Sequence, residues 1–221
     1  MNSTTDTAHQ HWNTEWQETD STSKWVQAEP EVMAHIEGLE GPIRVLDLGS
    51  GVGRHALEYA RAGHEVSALD AAEAGIWEVT RRASAEGLDI DARLGMMDKL
   101  PFEDQSFHHV LSWNVIYHGD ESVLTRTIAE IARVLVPGGT FHGTMLSKRI
   151  LRDRTDLGKG REISRNTWVF DGGGDKAHPH YFCNAAELCA VFRGFEPLTL
   201  VDREHETPGS WHWHLLAERQ A

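Results

Sequence analysis

The sequence predicts an α/β fold in which a doubly wound, mostly parallel sheet of seven strands ends in an antiparallel hairpin. Three observations support this prediction. From about residue 43 onward, short apolar runs alternate with longer amphipathic stretches, as in βαβ units. A glycine cluster follows the first apolar run directly and opens a helical stretch. The last two apolar runs are joined only by DREHETPG, which is too short for a crossover helix and therefore indicates a hairpin.

Seven segments have the composition of strands. They are short, rich in branched and aliphatic residues, and bounded by glycine or polar residues. The predicted strands are IRVLDLG (43–49), HEVSALD (64–70), DIDARLG (89–95), HHVLSWN (108–114), TFHGTML (140–146), FEPLTLVD (195–202) and SWHWHLLAE (210–218).

Four helices are predicted between these strands. Gly63 and Gly87 are signals for the C-terminal ends of the first two helices. Pro137, followed by two glycines, ends the third. Asn184 with Glu187 three residues later predicts a capping box at the start of the fourth. The predicted helices cover residues 54–63, 71–87, 121–139 and 184–195.

Two segments lie outside this alternation. Residues 1–28 are polar but contain tryptophans, and Trp12 and Trp16 would share one face of a helix. Such a segment either covers the core or closes over a site, and we assign it as a lid or cap ahead of a main domain over residues 29–221. The insert near residues 147–182 is rich in Lys and Arg that acids partly offset. It is either a solvated surface or an electropositive rim near the acceptor site.

Composition and charge restrict the function classes. The chain has 221 residues, enough for one domain with a sizeable core, and a formal net charge of −13. This charge argues against a nucleic-acid partner. No apolar run approaches the ~18 residues of a membrane span, and the first residues lack the pattern of a secretory signal. With only Cys183 and Cys189, we expect a cytoplasmic protein without disulfides. The sequence carries no signal of oligomeric state.

The turn after the first strand, residues 49–53, has the pattern G-x-G-x-G. A dinucleotide-binding turn needs a further glycine where this chain has Arg54, so that the helix packs close to a pyrophosphate. Asp47 ends the first strand, and a carboxylate there repels a pyrophosphate but suits a cationic cofactor. Asp70 ends the second strand, where it can accept hydrogen bonds from both ribose hydroxyls of NAD or of any adenosyl cofactor.

The chain resembles the class I S-adenosylmethionine (SAM)-dependent methyltransferases over about residues 40–217. The resemblance rests on VLDLGSGVGRH, Asp70, LGMMDKLPFEDQSF, VLSWNVIYH, RVLVPGG and the closing hairpin. It implies a Rossmann-like fold, with residues 29–221 as the methyltransferase domain and SAM as the cofactor. The glycine turn would hold the methionine part and Asp70 the ribose. The residues assigned to SAM on this basis are Asp47, Gly49, Ser50, Gly51, Gly53, Arg54, Asp70, Ala71, Met97, Asp98, Trp113 and Asn114.

The segment that flanks the adenine departs from the family pattern. Many relatives have an acid directly after its glycine, where this chain has Met96. Either Met97 and packing by Met96 suffice for the adenine, or Asp98 has taken the role of the acid. Both methionines can also simply fill the core. Arg54 has three open assignments, namely the SAM carboxylate, an acceptor oxyanion and a surface acid, and we favour the first two.

Within the superfamily, the GRH after the glycines, SWNVIYHG and the SWHWHLLAE ending look most like the tellurite-resistance (TehB-like) branch. This resemblance implies a small, soft methyl acceptor such as a thiol, selenium or tellurium species. A soft acceptor that is already anionic can react without a general base, and the sequence leaves open whether one is needed. Two alternatives stay open: a non-catalytic SAM-binding protein, and a methyltransferase of an RNA or protein acceptor. The missing third glycine disfavours a nicotinamide oxidoreductase.

Candidates for the acceptor side follow the fourth strand, whose carboxyl end should face the cofactor. We expect Asn114 near the sulfonium and His118 near the acceptor, while Trp113 is either core or an aromatic wall. The pairs His178/His180 and His212/His214 contact substrate, bind a metal or are separate structural histidines, and we assign no metal. The catalytic candidates are His118, His180 and His214, and the substrate-contact candidates are Trp16, Trp25, Tyr117, His178 and His212.

Overall fold

The structure, a computed structural model, describes residues 5–154, 156–205 and 207–221. Residues 1–4 of the predicted lid and Thr155 of the predicted insert lie outside the described residues. The strands are β1 Arg44–Leu48, β2 Glu65–Asp70, β3 Ile90–Leu94, β4 Phe107–Ser112, β5 Leu135–Ser147, β6 Gly160–Ser164, β7 Thr167–Phe170, β8 His180–Cys183, β9 Phe195–Glu204 and β10 Trp211–Arg219. The helices are α1 His9–Glu18, α2 Pro30–Glu37, α3 Ala56–Arg61, α4 Glu73–Glu86, α5 Glu121–Val134, α6 Ile150–Asp153 and α7 Ala185–Val191.

The predicted α/β sheet is confirmed. Its strands run in the order β3-β2-β1-β4-β5-β10-β9. Strands β1 to β5 are parallel, whereas β10 is antiparallel to both β5 and β9 and closes the expected hairpin. The order of the sheet reverses between β1 and β4. In parallel α/β sheets, ligands bind at the carboxyl ends of the strands that flank such a reversal.

The predicted insert contributes three strands beyond the seven predicted ones. Strands β6 and β7 form a hairpin closed by Asn166, whose φ is 61°. Strand β7 pairs with β8, and β8 joins the end of β5 beyond the last residue of β4. Strand β6 has the sequence GREIS, in which Ile163 is the only aliphatic residue, so no local pattern indicates it. This extension places His180 beside His118.

The third predicted helix is too long. Helix α5 ends at Val134 rather than at residue 139, because Leu135 already pairs with Phe107 of β4. The segment with Pro137 and the two glycines therefore forms the irregular start of β5, where the register against β4 shifts. Long-range pairing overrides the local stop signal here.

The helix boundaries follow from capping groups. The predicted capping box of α7 is confirmed. The Asn184 side chain accepts a hydrogen bond from the backbone N–H of Glu187, and the Glu187 side chain accepts one from the backbone N–H of Asn184. Gly87 ends α4 in the left-handed region with a φ of 67°, as expected. Asp120 caps α5, because its side chain accepts from two backbone N–H groups of the first turn. Gly63 lies beyond the end of α3, which finishes at Arg61.

The core lies on both faces of the sheet. One cluster packs α5 and α7 against β4, β5 and β10, and a second packs α2 and α3 against β1 and β2. In the described part of the chain, every helix is too short or too polar to cross a membrane.

Candidate functional site

A cavity opens at the carboxyl ends of β1, β2 and β4. Its lining combines the glycine turn with Trp12, Trp16 and Trp25 of the N-terminal segment. It lies where the strand order reverses, which is the expected ligand position in a doubly wound sheet.

The glycine turn exposes its backbone to this cavity. Gly49, Gly51 and Gly53 have φ values of 74°, 53° and 79°, in the left-handed region that glycine tolerates best. The Gly49 N–H donates to the Leu69 carbonyl at 2.7 Å and joins the turn to β2. A Cβ on Gly51 would lie 2.8 Å from Cζ2 of Trp16. The turn is therefore shaped for close approach, and Trp16 already packs against it.

Asp70 fixes the turn from the end of β2. Its Oδ2 accepts from the Gly51 N–H and its Oδ1 from the Ala72 N–H, both at 2.7 Å. The side chain is buried, and burial raises its pKa while the backbone hydrogen bonds act in the opposite direction. Asp70 lines the cavity, so it presents a rigidly held carboxyl group to any ligand.

Asp6 supplies a second buried carboxyl group to the cavity lining. Burial raises its pKa to about 7, and the like charges of Asp98 and Asp70 act in the same direction. A positively charged ligand would relieve this repulsion. The acidic character of the cavity therefore favours a cation.

Two acids predicted to bind the cofactor lie outside the cavity lining. Asp47 is buried, and its Oδ2 accepts from the Ala56 N–H at 3.0 Å at the start of α3. Burial raises the pKa of Asp47 to about 7. Asp98 accepts from Nη2 of Arg126 at 2.8 Å. From the same segment, Met97 lines the cavity.

Arg54 lines the cavity and also pairs with an acid of this chain. Its Nη1 donates to Oε1 of Glu29 at 3.0 Å and to the Gln27 carbonyl at 3.3 Å. Its guanidinium carbon lies 5.4 Å from the centroid of the Trp25 ring. The pair with Glu29 corresponds to the third assignment predicted for Arg54, an acid of the protein.

The tryptophans of the N-terminal segment form one aromatic cluster. Trp12 and Trp16 stack with ring centroids 4.9 Å apart, on one face of α1 as the spacing predicts. Trp25 packs edge-on against both rings. Within the described residues, the buried Nε1 atoms of Trp12 and Trp16 have no hydrogen-bond partner. These indoles offer donors to a ligand.

Three polar contacts anchor this segment to the main domain. Asn13 accepts from the Ala74 N–H at 3.0 Å at the start of α4. Thr5 accepts from the Asp120 N–H at 3.0 Å, and the Thr7 hydroxyl lies 3.0 Å from Nδ1 of His178. The segment therefore contacts both sides of the cavity entrance.

The residues after β4 are held in a strained conformation. Asn114 has a φ of 65°, which is uncommon for a residue other than glycine. Thr144 stabilises it, because its hydroxyl accepts from the Asn114 N–H at 2.8 Å and donates to Oδ1 at 3.0 Å. Trp113 and Asn114 both line the cavity. Strain of this kind is typical of functional sites.

His118 is the one predicted catalytic histidine in the described cavity lining. Its buried Nε2 has no hydrogen-bond partner among the described residues, and its ring centroid is 4.7 Å from that of His180. His180 in turn places Nε2 3.4 Å from Oδ2 of Asp175. Burial is the main cause that lowers the pKa of His118 well below 6.5, and the neighbouring His180 acts in the same direction. His118 is therefore a neutral imidazole.

The two H-x-H pairs belong to separate groups. His205 stacks on His212 with centroids 3.8 Å apart, and its Nε2 lies 2.9 Å from Nε2 of His214. Tyr117 separates this group from the other pair, with its ring centroid 5.9 Å from His180 and 6.1 Å from His212. Nothing in the described chain brings the pairs into direct contact.

Most of the residues predicted to bind the cofactor line the cavity, but few of those predicted to contact the methyl acceptor do. Predicted residues that line it are Gly49, Ser50, Gly51, Arg54, Asp70, Ala71, Met97, Trp113, Asn114, Trp16, Trp25 and His118. Predicted residues that do not line it are Asp47, Gly53, Asp98, Tyr117, His178, His180, His212 and His214. Lining residues that were not predicted include Asp6, His9, His55 and Val115.

Comparison with known proteins gives both a family match and a curated relative. Residues 45–139 match the family described as a methyltransferase domain. The chain is 30% identical over 194 residues to the sterol 24-C-methyltransferase ERG6A of Gibberella zeae. That match covers 84% of this chain and 48% of the relative, so the chain spans about half of the relative's length.

Solved structures share the fold over nearly the whole chain. The PH0226 protein from Pyrococcus horikoshii aligns with a TM-score of 0.72 at 19% identity, covering 94% of this chain and 99% of its own. TehB from Haemophilus influenzae aligns with a TM-score of 0.66 at 15% identity, covering 95% of this chain and 67% of its own. At these identities the likeness concerns the fold alone.

Proposed function

We propose that this chain, in which residues 45–139 match a methyltransferase domain, belongs to the class I SAM-dependent superfamily and moves a methyl group from SAM to a small-molecule acceptor. The observation that carries this proposal is the glycine turn that Asp70 holds at the edge of the cavity. The same cavity is lined by aromatic rings on which an acceptor can lie. The sterol methyltransferase relative supports an acceptor of small-molecule size.

The cavity fits SAM chemically. SAM supplies a methyl group on a positively charged sulfonium, and the carboxyl groups of Asp6 and Asp70 favour that charge. Ser50 has a buried hydroxyl without a partner among the described residues, and with the Trp16 indole it would bind polar groups of the cofactor. Asp70 would hold the ribose, and Met97 would pack on the adenine.

The residues of the chain contribute alignment and exclusion of water. Methyl transfer is an in-line displacement, so the rate depends on how tightly donor and acceptor are oriented. Asn114, fixed by Thr144, would orient the reacting end of the cofactor. Trp113 and the N-terminal tryptophans would exclude water and place aromatic faces near the positive charge.

The proposed acceptor is soft: a thiol, or a selenium or tellurium species. His118 is the imidazole that would meet the acceptor, and its lowered pKa makes it a weak base. A weak base suits an acceptor that is already anionic when it reacts, such as a thiolate whose proton has gone to solvent. The resemblance to the TehB-like branch supports the same class of acceptor.

Residues 1–28 are proposed to act as a lid over the cavity. In the described part of this segment, Trp12, Trp16 and Trp25 line the cavity, and Asn13 contacts the start of α4. Opening of the segment would admit SAM and the acceptor, and closure would exclude water.

A reducing, cytoplasmic location is proposed for the protein. The described Cys183 is buried and Cys189 is exposed, and neither forms a disulfide. An unpaired exposed thiol suits a reducing compartment.

Transfer of a labelled methyl group tests the proposal. The purified chain is incubated with methyl-labelled SAM and, separately, with a thiol, selenite, tellurite, a catechol and RNA. We expect labelled product with a soft acceptor, and the Asp70→Asn variant should lose most of this activity. Labelled catechol or RNA would contradict the soft or the small acceptor, respectively. Binding of SAM with no product from any acceptor would favour a non-catalytic SAM-binding protein.

A further inference from the structure

Three histidines from separate elements meet beneath helix α2, outside the cavity lining. His35 lies on α2, His109 on β4 and His142 on β5. The ring centroid of His35 lies 4.5 Å from that of His109 and 5.1 Å from that of His142. One nitrogen from each ring lies within 4.8 Å of the other two. This spacing allows the three nitrogens to reach one ion.

Each of the three rings has one nitrogen that no described residue pairs with. Among the described residues, Nε2 of His35, Nε2 of His109 and Nδ1 of His142 are buried without a hydrogen bond. His109 is fully buried and His142 nearly so. Buried polar atoms are rarely left unpaired in a native protein, so three in one place indicate a missing group.

The opposite nitrogens of two rings are already oriented. Nδ1 of His109 lies 2.7 Å from the Thr140 hydroxyl, and Nε2 of His142 lies 3.3 Å from Oε1 of Glu31. Metal-binding histidines characteristically use their second nitrogen in this way, often against a carboxylate.

We propose that His35, His109 and His142 bind a divalent transition-metal ion of the Zn²⁺ type. Three neutral imidazoles are a common protein ligand set for this class of ion. The buried Tyr59 hydroxyl, which also lacks a partner among the described residues, belongs to the same region, with its ring centroid 5.8 Å from that of His109. The ion ties helix α2 to the central sheet.

This tie reaches the cavity lining through Glu29, whereas Glu31 connects α2 to the strands beside the cavity. Glu29, at the start of α2, pairs with Arg54 of the cavity lining at 3.0 Å. Glu31 contacts His142 and His214 and also pairs with Arg203. The ion is therefore a structural element that positions α2, and it takes no part in methyl transfer.

Metal titration of the full chain tests this inference without SAM. Any affinity tag is removed, the protein is treated with a chelator, and Zn²⁺ binding is measured by calorimetry. Absorption of bound Co²⁺ reports the ligand geometry. We expect about one Zn²⁺ per chain at this site, and His35→Gln should weaken binding by more than ~100-fold. Because His35 is only half-buried on a helix, this variant is expected to fold, which circular dichroism checks.

Two further variants control for other histidines. His108 neighbours His109 on β4 and accepts from the Arg44 N–H, outside the cluster, so His108→Gln should bind Zn²⁺ like the unmodified chain. His180→Gln removes a member of the other group of potential ligands, His118, Asp175 and His180. Equal Zn²⁺ binding by the unmodified chain and His35→Gln would overturn the inference. So would loss of Zn²⁺ binding in His180→Gln with retention in His35→Gln.

Discussion

Substitution of Asp70 by Asn perturbs the contact on which the cofactor site depends. Both carboxylate oxygens accept backbone N–H groups at 2.7 Å, from Gly51 and from Ala72. Asn has nearly the same shape, but its NH2 group replaces one carboxylate oxygen and would face a backbone N–H, which is also a donor. Loss of one hydrogen bond to a charged group costs about 1.5–3 kcal/mol. When this free energy is lost from the ligand-bound state, the affinity for S-adenosylhomocysteine decreases by roughly 10- to 150-fold.

Calorimetric titration of S-adenosylhomocysteine into both proteins measures this change. The matched control is Asp91→Asn, because Asp91 is an exposed carboxylate on the neighbouring strand β3 that pairs with Arg93 at 2.7 Å. The control should bind like the unmodified chain. Unchanged affinity in a folded Asp70→Asn protein would refute the role that we assign to this carboxylate.

Three further predictions follow from the same contacts. In Gly51→Ala, the new Cβ would clash with Trp16, and the backbone φ of 53° is unfavourable for alanine. We therefore expect the free energy of unfolding to fall by about 1–2 kcal/mol. A thermal midpoint equal to that of the unmodified chain would contradict the strain. In Trp16→Ala, the lid admits water and turnover should fall about tenfold, whereas the exposed Trp77→Ala should be unaffected; equal rates would count against a lid. Burial lowers the pKa of His109, His118 and His212, so the unfolded chain binds protons more readily, and stability should fall between pH 7 and pH 5. The raised pKa values of Asp6 and Asp47 act in the opposite sense, but these acids are fewer; a thermal midpoint that rises on acidification would contradict this balance.

Local patterns were sufficient to predict the parts of the fold that local physics determines. The glycine turn needs left-handed backbone angles, and only glycines at 49, 51 and 53 supply them at low cost. The Asn184 capping box and the closing hairpin depend on residues close together in the chain. Asp70 was recognisable because it ends a strand beside the turn.

Contacts between distant segments were not predictable in the same way. Asp6 lines the cavity, but it belongs to the polar N-terminal segment, where no sequence pattern distinguishes it from its neighbours. Helix α5 ends before Leu135 because this residue pairs with Phe107 of β4, although the local stop signal lies further on at Pro137. The cluster of His35, His109 and His142 forms only when α2, β4 and β5 pack together. The H-x-H pairs, which the sequence marks as possible metal ligands, lie in separate groups in the fold.

We propose that the turn at residues 49–53, held by Asp70, binds an adenosyl sulfonium and not a pyrophosphate-linked dinucleotide. Equilibrium binding of labelled SAM to the purified chain, with NADH as the competitor, tests this claim most directly. We predict saturable SAM binding that S-adenosylhomocysteine displaces and NADH does not. Absence of SAM binding together with saturable binding of NADH would contradict it.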